Sequence, residues 1–372
     1  MDFIYLDNAA TTKTDEEILT KSLDFFNNEG FFNPSALYTP ARSVKTKIEN
    51  TRTAILSNFS SGYDLTFTSC GTEADNMAIL SFGKRGNIVT SAGEHSAIYN
   101  TFMQLKQQGV EPRFAKLNKD GSVNVDDFEK LIDEKTTFVS IVHVNNETGA
   151  INDINKLAKI AKQKNKNLIF HSDGVQAFLK IPYKISIDVD LYSISAHKIC
   201  ALKGVGALIH KKNLHLKPII FGGGQEKNIR SGTENTLGIF SFGNAVNKFS
   251  NVLENYNNIL KLKELFCKEL SNDVVFISKE NTSPYIVSFS LPGIKAEIMQ
   301  RVLESNGVIV GTGSACSAKL GTSRIISNCG LDKKTGEGVL RISFIFNTSE
   351  NDVIKSTQII KSCAQKLRMA LK

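Results

Sequence analysis

Short runs of uninterrupted apolar residues recur along this chain as far as His210, separated by polar turns and amphipathic stretches, and few folds accommodate that rhythm. Leu65-Thr66-Phe67-Thr68, Asn87 to Ser91, Phe138 to Val144, Leu168 to Asp173, Leu191 to Ser195 and Val205 to His210 each read as a strand. Between them, the stretch entered at Gly71 and running through Leu80, the one from Glu94-His95 toward Gln108, and Leu157 to Lys164 have helical spacing. A strand that is apolar at every position is covered on both faces. The alternation therefore predicts an α/β chain with a largely parallel sheet and helices on either side. At 372 residues the chain is too long for one small core, so two domains are expected.

The flanking regions are less regular. Asp15 to Phe26 has helical spacing and Asn33-Pro34-Ser35 marks a loop. Gly222-Gly223-Gly224 and Arg230-Ser231-Gly232-Thr233 form a turn-rich crossing. Phe242, Val246, Phe249, Leu253, Tyr256 and Leu260 then lie on one stripe, which predicts a single long helix bridging the domains. Beyond it, strand-like Ile286 to Ser290, a helix near Glu297 to Glu304, strand-like Val308 to Val310, a loop from Gly311 to Ser323, strand-like Leu340 to Phe346 and a last helix predict a smaller α+β unit.

Composition excludes several classes. The formal charge of +8 is spread over scattered lysines with no basic block, so a solvated surface accounts for it and no direct nucleic-acid partner is expected. The start, Met1-Asp2-Phe3-Ile4, carries an early acid and no long apolar core, so no signal peptide is expected, and no run is long enough to span a bilayer. Cys70, Cys200, Cys267, Cys316, Cys329 and Cys363 are widely separated, with no C-x-x-C pair, which argues against structural zinc and against a disulfide framework. The expected setting is a reducing cytoplasm.

In an open parallel sheet, ligands bind beyond the carboxyl ends of the strands. There the sequence places Thr72, His95, Asn146, Asp173, Gln176, Ser195, His197 and Lys198. Burial or cationic neighbours lower a lysine's pKa until its free amine forms an imine with a carbonyl. Taken alone, Ser195-Ala196-His197-Lys198 reads more readily as a surface lysine after a core strand. The Gly71-Thr72 turn offers backbone N–H groups and a hydroxyl that suit a phosphate, and it is equally an ordinary helix start. Asp173 needs a partner such as a protonated ring nitrogen, or else caps a turn. An amine for an imine, a carboxylate for a pyridinium and a phosphate cradle are together what pyridoxal 5'-phosphate needs to act as an electron sink. Packing does not account for their joint occurrence.

Seven motifs resemble those of the cysteine desulfurases of the NifS/IscS type, within the class V aminotransferases and fold-type I pyridoxal-phosphate enzymes. They are Tyr5-Leu6-Asp7-Asn8-Ala9-Ala10-Thr11-Thr12, Gly71-Thr72-Glu73-Ala74-Asp75-Asn76, Glu94-His95, His143-Val144-Asn145-Asn146-Glu147-Thr148-Gly149, Ser195-Ala196-His197-Lys198, Arg230-Ser231-Gly232-Thr233 and Gly313-Ser314-Ala315-Cys316. The resemblance implies an aspartate-aminotransferase-like fold: a large domain over 13–255 with a mostly parallel seven-stranded sheet flanked by helices. A small α+β domain would comprise 1–12 and 256–372 and carry a mobile catalytic cysteine loop at about 311–323. It further implies Lys198 as the Schiff-base lysine, Asp173 as partner of the pyridine nitrogen, Gln176 and Asn146 near the phenolic oxygen, and His95 stacked on the ring and shuttling protons. Gly71, Thr72, Ser195 and His197 would hold the phosphate, with Thr233 reaching the phosphate site of a neighbouring subunit in a homodimer. Arg341 and Asn33 would fix the substrate carboxylate, Arg341 by its bidentate geometry.

Cys316 sits in a loop rich in Gly, Ser and Thr, where a side chain can move between a cofactor and an outside acceptor, whereas Cys267 lies in an apolar segment. Placement alone leaves nucleophilic and structural roles open, and the motif favours the nucleophile. The implied reaction takes sulfur from L-cysteine, leaving L-alanine and a persulfide on Cys316, which passes to an iron–sulfur scaffold or a tRNA-thiolation protein. No resident metal is expected, although Cys316 would be able to ligate a cluster held on a scaffold partner. The rival readings are a selenocysteine lyase, another class V enzyme such as an aminotransferase, and a catalytically inactive scaffold. Two departures from the family pattern are Cys70, where relatives often have glycine, and Asn347, where one branch has a second arginine.

Overall fold

The computed structural model describes residues 3–312 and 323–370. β1 (Ile4–Tyr5), α1 (Glu16–Phe25) and α2 (Thr39–Leu56) open the chain. Next come β2 (Tyr63–Thr68), α3 (Gly71–Phe82), β3 (Asn87–Ser91), α4 (Ser96–Gln107), β4 (Glu111–Ala115), α5 (Val125–Lys130), β5 (Thr136–Val142), α6 (Ile154–Lys164), β6 (Ile169–Asp173), β7 (Leu191–Ser195) and β8 (Gly206–Lys211). After α7 (Thr236–Lys248) and α8 (Val252–Leu270) follow β9 (Val275–Phe276), β10 (Ile286–Ser290), α9 (Ala296–Ser305), β11 (Val308–Ile309), α10 (Arg324–Asn328), α11 (Lys333–Glu337), β12 (Val339–Ser343) and α12 (Glu350–Ala370).

Strands β2 to β8 make one seven-stranded sheet in the order β2-β8-β7-β6-β5-β3-β4. Only β8 runs antiparallel to its neighbours. The uninterrupted apolar strands have the cause expected of them. Ile18, Val44, Ile48, Leu157 and Phe242, from α1, α2, α6 and α7, belong to the apolar cluster on one face. Ala74, Met77, Ile98 and Phe102, from α3 and α4, cover the other face.

A second layer has β12, β10 and β9 as an antiparallel sheet, with β1 and β11 as a separate parallel pair. Its apolar cluster takes in Ile259 and Phe266 of α8, Met299 of α9 and Ile360 of α12. Leu6 and Ala9 from the other end of the sequence also join it. Among the described residues, no helix is long and apolar enough to cross a membrane.

Two expectations need correction. The stripe from Phe242 to Leu260 is two helices, with α7 ending at Lys248 and α8 starting at Val252. Phe249 leaves the helix and stacks on Phe346, with ring centroids 4.1 Å apart, while Leu253, expected on the buried stripe, is 58% exposed. The second concerns β4, which periodicity does not reveal. Its Glu111-Pro112-Arg113 lacks apolar continuity because it is an edge strand paired with β3 alone, where proline and charge are tolerated.

Candidate active site

Because β3, β5, β6 and β7 are parallel, the loops leaving them open on one edge of the sheet. β2 points the same way, antiparallel to β8 as β7 is. That edge and the second layer enclose a cavity of about 450 Å³. Its wall includes Gly71 and Thr72 after β2, His95 after β3, Asn146 after β5, Asp173 and Gln176 at and after β6, and Ser195, His197 and Lys198 at and after β7. Arg341 of β12 closes the far side with Gly311 and Asp7.

A single 3-10 turn, Ala196–Lys198, carries Lys198 off β7. Its Nζ donates to the carbonyls of Ala9 and Ala10, each at 2.6 Å. The side chain borders the cavity and keeps some exposure, yet the surrounding protein desolvates the ammonium. Burial, and then the Arg341 guanidinium, push its pKa down to about 8. Near neutrality, roughly a tenth of such an amine is unprotonated, against well under a hundredth for an ordinary lysine.

Asp173 is buried, and its Oδ1 accepts from Val175 N–H at 2.9 Å. Burial raises its pKa, against the pull of His95 and Lys198. A carboxylate in this position is stabilised by whatever cationic donor enters the cavity. His95 caps α4, its Nδ1 accepting from Ala97 N–H at 3.2 Å. The ring is exposed toward the cavity, but the protein packed around it desolvates the charged form and lowers its pKa, which favours the neutral ring, and the accepting Nδ1 leaves the proton on Nε2. His197, whose Nδ1 lies 3.0 Å from Thr11 Oγ1, is also neutral because burial pulls its pKa to about 3.

Several polar groups on the cavity wall lack partners. Ser195 Oγ and Asn146 Oδ1 are buried without a hydrogen bond among the described residues. The N-cap of α3, Cys70, gives its first turn no side-chain acceptor. Gly71 is required for packing, since a Cβ there would stand 2.8 Å from Val175 Cγ2.

Arg341 is buried, donating from Nη2 to Asp7 Oδ1 at 2.6 Å and from Nη1 to the Asn146 carbonyl at 2.7 Å. Its Nε is buried without a partner among the described residues. The guanidinium is thus anchored through one N–H of each terminal nitrogen, which leaves further N–H donors unused. Gly311 leaves room for this arrangement and exchanges backbone hydrogen bonds with Arg341 at 2.8 and 3.0 Å.

Not every expected residue meets the cavity. Asn33 lies on an exposed loop, its Oδ1 accepting from Ser35 N–H at 2.9 Å, and is not part of this chain's cavity wall. Thr233 is exposed, although its neighbour Arg230 is tied to α3 through Glu73 at 2.8 Å. Cys316 lies outside the described residues.

Sequence reasoning also passed over residues that complete the site. Asp7 stood inside a quoted motif but was given no role, because its partner is 334 residues away. Asp75 is buried on the cavity wall, and burial, then Asp173, hold its pKa well above the usual carboxylate range. The contact of His171 with Asp75 at 3.7 Å is therefore no ion pair, since burial also takes the His171 pKa to about 3. Lys180 lies in the apolar run Ala177-Phe178-Leu179-Lys180-Ile181, and a lysine there is the signal that was available. Arg324 donates to the Glu94 carbonyl and lies over the Tyr99 ring at 4.1 Å, tying the described chain after Ser323 to the His95 loop.

The chain is similar to known proteins over most of its length. Residues 4–355 match the model of the family Aminotransferase class-V. The chain is 36% identical over 380 residues to "Cysteine desulfurase IscS" of Dictyoglomus turgidum, covering 98% of this chain and 95% of that protein. Among solved structures, a NifS-like protein from Rickettsia africae superposes with a TM-score of 0.89 at 32% identity, covering 98% of this chain and 99% of that one. Another, described as SspA in complex with cysteine, gives a TM-score of 0.79 at 27% identity over 91% of this chain and 98% of that one.

Proposed function

The chain belongs to the class V aminotransferase family, and from that membership and its cavity we infer that it is a cysteine desulfurase working with pyridoxal 5'-phosphate. The observation that carries this reading is Lys198, a lysine of lowered pKa at a strand end, sharing one cavity with Asp173 and His95.

The residues present fit that cofactor. The partnerless Ser195 hydroxyl, Thr72 and the uncapped first turn of α3 suit its phosphate, and His197 stands beside them. Asp173 suits a protonated ring nitrogen, Gln176 and Asn146 the phenolic oxygen, His95 the ring face, and Lys198 the aldehyde carbon. When bound, the group draws electrons from the α-carbon of an amino acid. Arg341, on the cavity wall with N–H groups beyond those that hold Asp7 and Asn146, binds the substrate carboxylate. Lys198, far more often uncharged near neutrality than an ordinary lysine, takes and returns protons at Nζ, and His95 holds one at Nε2.

Cys316 is the proposed nucleophile. Its thiolate attacks the sulfur of L-cysteine: the S–S bond forms, the C–S bond breaks, and the bonding pair and a proton remain with the carbon skeleton as alanine. The sulfur held on Cys316 then passes to an acceptor protein of iron–sulfur assembly or tRNA thiolation.

The reading includes a homodimer. Thr233 is exposed, and the loops around Pro34 and Gly223 border one cleft, next to which Leu37 and Phe221 are 84% and 82% exposed. Exposed apolar residues beside the loops named for the partner's phosphate and the substrate support two-fold assembly.

Cys316→Ser tests the reading. The variant is expected to lose alanine release from cysteine while keeping the visible absorbance of bound cofactor; undiminished turnover refutes the role of Cys316.

A further inference from the structure

Lys180 is 2% exposed, and among the described residues it has no carboxylate partner. An unpaired buried ammonium is costly, whereas a methionine of nearly the same volume would fill the space without that penalty. Leu179, a buried non-glycine residue with φ of 57°, turns the chain just before it. The groups facing Lys180 do not compensate its charge. Lys198 and Arg341 repel it, Cys200 is a buried thiol, and the Tyr285 ring lies 5.9 Å away. Burial, and then Lys198, bring its pKa down to about 7.

The single acceptor of Lys180 Nζ among the described residues is Gln176 Oε1, at 3.1 Å. The other end of that amide, Nε2, donates to the Ala9 carbonyl at 2.8 Å. A carbonyl only accepts and an ammonium only donates, so the two contacts agree on which way the amide faces. Lys198 Nζ donates to the same Ala9 carbonyl at 2.6 Å. Lys180, the Gln176 amide, the Ala9 carbonyl and Lys198 thus form one line of hydrogen bonds leading from a sealed interior to the reactive amine.

We propose that Lys180 is a positioning residue: by holding Gln176 Oε1 it keeps the amide nitrogen on the Ala9 carbonyl beside Lys198, fixing the orientation of the side chain that borders the cofactor's phenolic oxygen. The inference rests on the reading of the cavity as a pyridoxal-phosphate site. Without Lys180, Gln176 Oε1 is a buried acceptor with no donor, and the amide is held at its nitrogen end alone, by the Ala9 carbonyl.

Lys180→Met keeps the volume and removes the donor. The expected results are a shift of about one unit in the pH at which the visible absorbance of the bound cofactor titrates, and a fall in kcat of roughly tenfold with KM little changed. Lys180→Arg, which retains a donor, is expected to return the titration toward the wild-type pH. In a Gln176→Ala background, adding K180M is expected to do nothing more. Should K180M not fold, Lys180→Gln, one bond too short to reach Gln176, takes its place with the same expected shift. A wild-type protein that takes up no cofactor overturns the functional reading and this inference with it. A loaded wild type whose K180M or K180Q variant titrates at the same pH and turns over at the same rate overturns this inference alone.

Discussion

Gly174, between Asp173 and Val175, is where fold and site are most tightly joined. A Cβ built there would lie 1.9 Å from Tyr192 Cζ, 2.0 Å from Cε1 and 2.4 Å from Oη. Ordinary carbon contacts begin near ~3.5 Å, so Gly174→Ala requires a displacement of roughly 1.5 Å. Tyr192 has little freedom to supply it: it is buried on β7, its Oη is 2.7 Å from His143 Nδ1, and its ring packs edge-on to Phe59 at 5.7 Å. Overpacking costs about 1–3 kcal/mol. If the ring swings away, the unpaired His143–Tyr192 groups add about 1–3 kcal/mol. A total near 3 kcal/mol is expected, lowering the urea midpoint of the cofactor-free protein by about 1 M. If the backbone gives way instead, Asp173 and Gln176 move with it, and cofactor affinity measured by absorbance titration falls. Tyr192→Leu removes the three clashing atoms, so in that background G174A is expected to cost less than about 1 kcal/mol. A G174A protein with the wild-type midpoint and cofactor affinity, or an equal cost in both backgrounds, would refute the reasoning.

Two further predictions concern the charged groups of the cavity. The folded pKa of Lys198, about 8, lies below the unfolded value near ~10.4, so between those values the unfolded chain binds more protons and stability rises with pH. Below about 8 both states are protonated and the contribution is level; Lys198→Met is expected to remove the rise, and parallel urea profiles for wild type and variant from about pH 7 to 10 would count against it. Gly311→Ala would place a Cβ 2.7 Å from Asp7 Oδ1 and 2.9 Å from Arg341 Nη2, parting that ion pair. The KM for cysteine is expected to rise about tenfold or more with a smaller change in kcat, and an unaltered KM would remove Arg341 from the carboxylate site.

The parallel sheet was legible because its inner strands are covered on both faces and so show as unbroken apolar runs; β3 spans the residues that pattern predicts, as does β10 in the smaller antiparallel sheet. What periodicity missed was governed by distant partners. β4 is an edge strand, and the α7–α8 break follows from Phe249 meeting Phe346, almost a hundred positions on. The site divides likewise. Lys198, Asp173 and His95 sit at strand ends, where local pattern and motif coincide. Asp7 and Arg324 owe their places to contacts across the fold, which spacing along the chain does not encode, whereas Lys180 bonds only four positions back and showed as a lysine in an apolar run.

The segment from Asp7 to Thr12 illustrates what such distant contacts entail. Its Ala9 and Ala10 carbonyls hold Lys198, Asn8 Nδ2 donates to the Ser343 carbonyl at 2.8 Å, and Asp7 holds Arg341. These residues precede every strand of the seven-stranded sheet, yet the groups they grip include some that follow all of it. A nascent chain can assemble β2 to β8 well before residue 343 is translated, since those strands pair among themselves. The pocket around Lys198 closes only when Arg341 and Ser343 meet the Asp7–Thr12 segment, so the cavity is completed after the sheet that supplies most of its wall.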